Sequence, residues 1–230
     1  MTAVTLVDPP AGLEPVVRES TPALIARTLR RAISDGSLPP GAQLGEAALA
    51  RSLGVSRGPL REAMQRLTQE GLLVSHRNRG LFVADLTPGA VEDMYLLRTT
   101  VETAALDRVL ELGLGSETAD RLDAAVEAMA ALADEPRSAA MVAADLDFHH
   151  ELVEAARSPR LSRVHETVIV ETSMCLHAMR GTYTEAEARL AEHRAIADAV
   201  RAGEADLARR LLVEHMRDGL ERVREGGAGT

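Results

Sequence analysis

The sequence predicts a mostly α protein: an N-terminal helical head closed by a β-hairpin, then a C-terminal antiparallel all-helical bundle. Three observations lead there. Alanine, leucine, glutamate and arginine dominate while aromatics make up only 2% of the chain, a composition that favours helices and disfavours β-sandwiches and carbohydrate-stacking sites. Apolar residues recur with a 3.6-residue period in segments separated by Gly, Pro and Ser breaks. One short stretch, residues 72–84, departs from that period and reads as two β-segments around a basic tip.

Residues 1–17 carry Pro9, Pro10, Gly12 and Pro15 and read as a flexible arm. A first helix opens at Thr21-Pro22, with Thr21 as its cap, and carries Leu24, Ile25, Leu29 and Ile33 on one face. Leu38-Pro39-Pro40-Gly41 turns the chain. A short helix spans about Glu46 to Leu53, Gly54-Val55 makes a tight turn, and Ser56 caps a helix to about Glu70, which Gly71 ends. The segments Leu72–Ser75 and Leu81–Ala84 flank His76-Arg77-Asn78-Arg79-Gly80. Helix, helix-turn-helix and hairpin in that order make a winged helix-turn-helix over residues 18–85.

Asp85-Leu86 is the expected linker, and residues 86–230 read as helical throughout. Thr87-Pro88 opens a long helix to about Leu112, and Ser116 caps one to about Ala133. Two more run from about Arg137 to Ala156 and from Leu161 to Arg180, parted by Ser158-Pro159. Thr184 and Glu187 form a capping box for a fifth, which stops at Gly203, and a sixth reaches about Glu225. Six helices on short connections form an antiparallel bundle.

At 230 residues and 46% hydrophobic, the chain can bury a substantial core. It shows neither a signal peptide nor an apolar run that could span a membrane, and its one cysteine, Cys175, has no partner for an internal disulfide. A cytoplasmic protein is expected. The net charge of −9 is unevenly spread: residues 1–85 hold 10 Arg against 8 acidic residues, whereas the remainder holds 16 Arg against 27. A mildly basic head on an acidic body is compatible with nucleic-acid binding through the head.

The helix beginning at Ser56 is the candidate recognition helix. Arg57 and Arg61, one turn apart, share a face opposite the apolar stripe Leu60, Ala63, Met64 and Leu67. Arginine can grip guanine O6 and N7 with two hydrogen bonds. Gly58 permits close approach to DNA, and Ser56 can donate to a phosphate at the helix N-terminus. Arg77 and Arg79 on the hairpin tip suit a narrow minor groove or phosphates. Arg61 or Arg66 alone reads equally well as part of a solvated face; the ordered set points to double-stranded DNA.

The run from Leu38-Pro39-Pro40-Gly41 through Leu53-Gly54-Val55-Ser56-Arg57-Gly58-Pro59-Leu60-Arg61-Glu62-Ala63 to Glu70-Gly71-Leu72 resembles the DNA-binding head of the GntR family of bacterial regulators. The resemblance implies that Ser56, Arg57, Gly58 and Arg61 contact DNA and that the hairpin tip reaches the minor groove. Ala47 departs from the pattern, where members often carry an arginine.

In the C-terminal half, Asp145 and His149 stand one helical turn apart, and His193 and His215 lie on the last two helices. Antiparallel packing can bring all four together as ligands for a divalent transition metal, with Zn²⁺ the leading candidate and Ni²⁺, Mn²⁺ or Fe²⁺ open alternatives. Each histidine taken alone reads more simply as a surface or hydrogen-bonded core residue, and His76, His150 and His165 are read that way. The Asp-x-x-Phe-His step, Glu192-His193 and His215 resemble the ligand-binding domain of FadR-like GntR regulators, called FCD. That resemblance implies a metal on Asp145, His149, His193 and His215, a small organic or sugar acid beside it, and a homodimer on an inverted-repeat operator. Arg98, four residues before Glu102, is the candidate anchor for the acid, with an ion pair to Glu102 the competing reading. His177 is a second candidate lining residue.

The function expected is therefore a ligand-responsive, DNA-binding transcriptional repressor and not an enzyme. A metal-dependent hydrolase or lyase fused to a DNA-binding head is the rival. A regulator whose metal is purely structural is another.

Overall fold

A computed structural model describes residues 19–136, 138–178 and 186–227. Among them the head contains α1 (Thr21–Ser34), β1 (Gln43–Leu44), α2 (Glu46–Leu53), α3 (Arg57–Gln69), β2 (Leu73–His76) and β3 (Gly80–Val83). The bundle contains α4 (Pro88–Glu111), α5 (Gly115–Ala130), α6 (Ala139–Ala155), α7 (Pro159–Ala178), α8 (Ala186–Ala202) and α9 (Ala205–Gly227). This is a mostly α protein with a winged helix-turn-helix head. The expected arm, 1–17, and Thr184 of the expected capping box lie outside the described residues.

Local chemistry sets most boundaries. Ser20, not Thr21, caps α1, accepting from the Ala23 amide, because Thr21 already belongs to the first turn beside Pro22. Gly54 closes α2 in the left-handed region (φ 64), which glycine adopts without a Cβ penalty and which sets the sharp turn into α3. Ser56 is the N-cap residue of α3, but its hydroxyl makes no cap bond there. Thr87 caps α4 and Ser138 caps α6. The expected Ser116 cap is not made: Leu114 occupies the cap position of α5, since its amide is spent on Val109 at the end of α4 and the next helix follows at once.

The wing is a three-stranded antiparallel sheet in the order β1-β3-β2. The hairpin pairs Leu73 with Val83 and His76 with Gly80, about one residue from the segments expected. The third strand, β1, is added from the loop before α2, with Gln43 opposite Phe82 and Leu44 opposite Leu81. Leu44 is buried by this pairing.

The bundle core centres on Leu106, Leu122, Met129, Phe148, Leu152, Ile196, Val200 and Leu212. α5 packs closely on α8: a Cβ at Gly115 would stand 2.5 Å from the Val200 carbonyl oxygen. The head has its own core, around Ile33, Leu60, Leu67, Leu72 and Val83, and α7 contributes Val170 and Met174 to it. Ile33, Leu60 and Leu67 are fully excluded from water. No helix among the described residues is long and apolar enough to cross a membrane.

Candidate functional site

The head presents the sequence-predicted DNA residues on one exposed surface. Ser56, Arg57, Gly58 and Arg61 are all exposed at the N-terminal end of α3, while Leu60, Ala63, Met64 and Leu67 face inward. A Cβ at Gly58 would meet nothing within 4 Å, so the fold itself makes no demand for glycine there. Arg61 Nε donates to Glu46 Oε2 at 2.9 Å, bridging α3 to α2. The Arg61 side chain is 67% exposed, so a phosphate can compete for it in open solvent. On the wing, Asn78 turns the chain with a positive φ of 60. Arg77 and Arg79 project beside it, and Arg79 lies over the Phe82 ring at 5.4 Å. Gln43 Nε2 donates to the Arg79 carbonyl at 2.6 Å, tying the tip to β1.

The bundle buries a polar centre. Asp145 and His149 on α6, His193 on α8 and His215 on α9 come together, each at most 6% exposed. The three imidazoles bring one nitrogen each to within 4.8 Å of one another. Their Nδ1 atoms face outward onto acceptors. His149 Nδ1 donates to Glu102 Oε2 at 2.7 Å, His193 Nδ1 to the Arg189 carbonyl at 2.8 Å, and His215 Nδ1 to Glu192 Oε2 at 2.8 Å. With the protons on Nδ1, the three lone pairs sit on Nε2 and point inward.

His149 Nε2 and His215 Nε2 are 3.3 Å apart, and His193 Nε2 lies 3.4 Å from Asp145 Oδ1 with no hydrogen-bond partner. Burial pushes His193 down to about 4, outweighing the opposing pull of Asp145, and His149 lowers it further. Burial likewise lowers His149 and takes His215 well below its ordinary value. At neutral pH, facing lone pairs therefore repel. A divalent cation accepting all three would turn that repulsion into attraction, so the donor set fits a transition metal. Burial works against the charge of Asp145, but Arg189 and the three histidines outweigh it and hold the carboxyl far below its usual range. It is a fixed anion beside the imidazoles.

Arg98 and Glu102 form a fully buried ion pair, Nε to Oε1 at 2.8 Å, so the competing reading of Arg98 is realised in part. Arg98 Nη2, however, is buried with no hydrogen-bond partner. Burial works against its charge, but Glu102, then Tyr95 and Asp145, outweigh it and keep the guanidinium cationic. His177 is not brought to this centre. It hydrogen-bonds back to the Ser173 carbonyl at 2.9 Å, and its Cβ would stand 3.8 Å from a Cβ at Gly36, at the junction with α1. Its place near the end of α7 sets it beside Gly36, at the junction with the head.

Sequence reasoning missed Glu102 as a hub, the buried His165 that donates to it at 3.2 Å, Arg189 against Asp145 at 3.3 Å, and Glu192. Only the Glu192-His193 adjacency and the Arg98/Glu102 spacing hinted at any of them.

A family model described as bacterial regulatory proteins, gntR family, matches residues 23–83, and the FCD domain model matches residues 93–218. The chain belongs to the GntR family, FCD branch. Among its relatives, this GntR chain is 36% identical to an HTH-type transcriptional regulator of Streptomyces ambofaciens over 85% of its own length and 83% of the relative's. It is 30% identical to a Paenarthrobacter nicotinovorans protein named "Probable D-xylose utilization operon transcriptional repressor", covering 80% of each. A GntR transcriptional regulator from Rhodococcus sp. RHA1 superposes with a TM-score of 0.74 at 29% identity, over 89% of this chain and 97% of that one. These relatives are transcriptional regulators, not enzymes, so the hydrolase reading falls and this GntR chain is a DNA-binding transcription regulator.

Proposed function

We propose that this regulator is a repressor that binds an inverted-repeat operator as a homodimer and releases it in response to a small carboxylate sensed beside a metal in the bundle. The observation that carries the reading is the convergence of three buried imidazole Nε2 atoms beside Asp145. Asp145, His149, His193 and His215 would hold the ion, with Zn²⁺ first and Ni²⁺, Mn²⁺ and Fe²⁺ as alternatives. When bound, the ion supplies a Lewis-acidic site for one carboxylate oxygen of the ligand. The chain's own residues do the rest. Arg98 Nη2, buried and unpartnered, offers a charge-assisted donor to the acid, and Glu102 holds that guanidinium in place. Head and bundle would form the DNA-reading and sensing units over 18–85 and 86–230, acting in the cytoplasm.

Ser56, Arg57, Gly58 and Arg61 would read the major groove, and Arg77 and Arg79 would reach the minor groove or the phosphates that line it, one head per half-site. The ligand shifts occupancy only by as much as its affinity differs between DNA-competent and incompetent dimers.

The test is elemental analysis of protein purified without added metal, repeated on Asp145→Ala. About one ion per chain, lost in the variant, supports the sensing site. No ion even after exposure to Zn²⁺, Ni²⁺ and Mn²⁺ refutes it. A second reading, the metal as a structural staple, is favoured by the complete burial of His149 and His193. Chelation that unfolds the bundle without altering ligand affinity in the surviving fold would select it.

A further inference from the structure

Glu102 is fully buried at the centre of α4 and accepts from three donors on three helices. Oε1 receives Arg98 Nε of α4 at 2.8 Å and His165 Nε2 of α7 at 3.2 Å, and Oε2 receives His149 Nδ1 of α6 at 2.7 Å. A carboxylate is the only side-chain group of this size that accepts on both ends; glutamine accepts on one and donates on the other. Three donors thus converge on its two oxygens, an arrangement that only an acceptor on both ends satisfies. A purely apolar bundle core would need no such anion, and burying one without a task is unfavourable.

His149 is the imidazole for which this matters most. A neutral ring carries one proton, and whichever nitrogen holds it cannot offer a lone pair. His193 has its Nδ1 proton directed by a backbone carbonyl of its own helix, and His215 by the partly exposed Glu192, itself held by Arg222 at 3.0 Å. For His149 the directing acceptor is Glu102 alone.

We propose that Glu102 is the positioning residue of the histidine cluster: by accepting the Nδ1 proton of His149 it fixes the tautomer whose Nε2 lone pair faces His193 and His215. The same carboxylate orients Arg98, so one residue of α4 aligns both the metal ligand on α6 and the anion donor beside it. In Glu102→Gln the amide must turn its NH₂ toward at least one of three donors. If it meets His149, the favourable response is for the ring to move its proton to Nε2 and accept on Nδ1, which removes one inward lone pair. If it meets Arg98 or His165 instead, those donors lose a partner and crowd the site. Outer groups that orient a metal-bound imidazole typically change metal affinity by about 10–100-fold.

This inference rests on the metal reading proposed above, and its test separates the two. Nitrogen NMR of the histidine side chains in metal-free wild-type protein reads the tautomer directly, and competition with a chromophoric chelator gives the Zn²⁺ affinity. We expect His149 to carry its proton on Nδ1 in the wild type. In Glu102→Gln we expect it to shift toward Nε2, with Zn²⁺ affinity falling about 10–100-fold while circular dichroism still reports the helical fold. An Nε2 proton on His149 in the wild type overturns the proposal and needs no variant. So does Zn²⁺ affinity unchanged in a folded Glu102→Gln. A wild-type chain that takes up no Zn²⁺ sinks the metal reading alone, and the tautomer measurement still decides the role of Glu102.

Discussion

Ser173, in the C-terminal part of α7, donates its hydroxyl to the backbone carbonyl of Ser34 at the end of α1, at 2.9 Å. The bond crosses from the bundle to the head, and it satisfies a carbonyl at a helix C-terminus, where the last turn has no intrahelical donor. Val170 and Met174 flank it on α7 and bury themselves in the head's core.

Ser173→Ala should therefore destabilise the head more than the rest of the protein. A lost buried hydrogen bond of this kind costs about 0.5–1.5 kcal/mol. Hydrogen exchange should show faster opening of amides in α1 with little change in α5 or α8. Equal effects in both regions, or none, would contradict the coupling.

Arg57→Ala should weaken operator binding by about 1–3 kcal/mol if the guanidinium reads a base. Arg79→Ala should instead weaken binding to all sequences alike and flatten its salt dependence, as for a phosphate contact. Fluorescence anisotropy with operator and scrambled DNA at several salt concentrations separates the two. Wild-type affinity in Arg57→Ala would remove this residue from the interface.

Gly115→Ala should destabilise the bundle, because the new methyl would meet the Val200 backbone oxygen at 2.5 Å and neither backbone can yield easily. Overpacking of this kind costs about 1–3 kcal/mol. Urea unfolding measures it. Gly58→Ala, where nothing lies within 4 Å, should leave stability unchanged or slightly raised and is the matched control.

Acid should destabilise the metal-free protein before it protonates most surface carboxylates. His193 falls from an ordinary 6.5 to about 4 in the fold, and His149 and His215 also fall, through burial first. Below 6.5 the unfolded chain gains protons that the folded chain refuses, so stability is full above about 7 and declines toward pH 4. His193 alone accounts for about 3 kcal/mol across that window. Asp145 and Glu102, held low in the fold, extend the loss further into acid. Denaturant midpoints measured in chelator between pH 4 and 8 check the slope, and a flat profile would contradict neutral buried histidines.

The helices were legible because they rest on local signals. A 3.6-residue period, a capping Thr87 and Gly54 at a helix end act within a few residues of chain. β1 was not legible: two residues, Gln43 and Leu44, become a strand only because Phe82 and Leu81 pair with them from far along the sequence. Ser20 and Thr21 are both good caps, and which one serves depends on where Pro22 sets the first turn. Asp145, His149 and His193 were readable as spaced ligand types, whereas Glu102 shows its role only when α4, α6 and α7 meet. The sequence likewise gives no sign that His177 on α7 stands beside Gly36 of the head.

Because Val170 and Met174 complete the head's core, the boundary near Asp85 divides the chain but not the apolar interior. A head excised there would expose part of the surface that Ile33 and its neighbours need covered. The two halves are thus poorly exchangeable parts: a chimaera joining this head to another bundle would have to supply a matching α7 surface as well as a joint. Recombination that shuffles operator specificity among such regulators would be constrained by that one helix, and engineers grafting heads onto new sensors should transplant its contact face too.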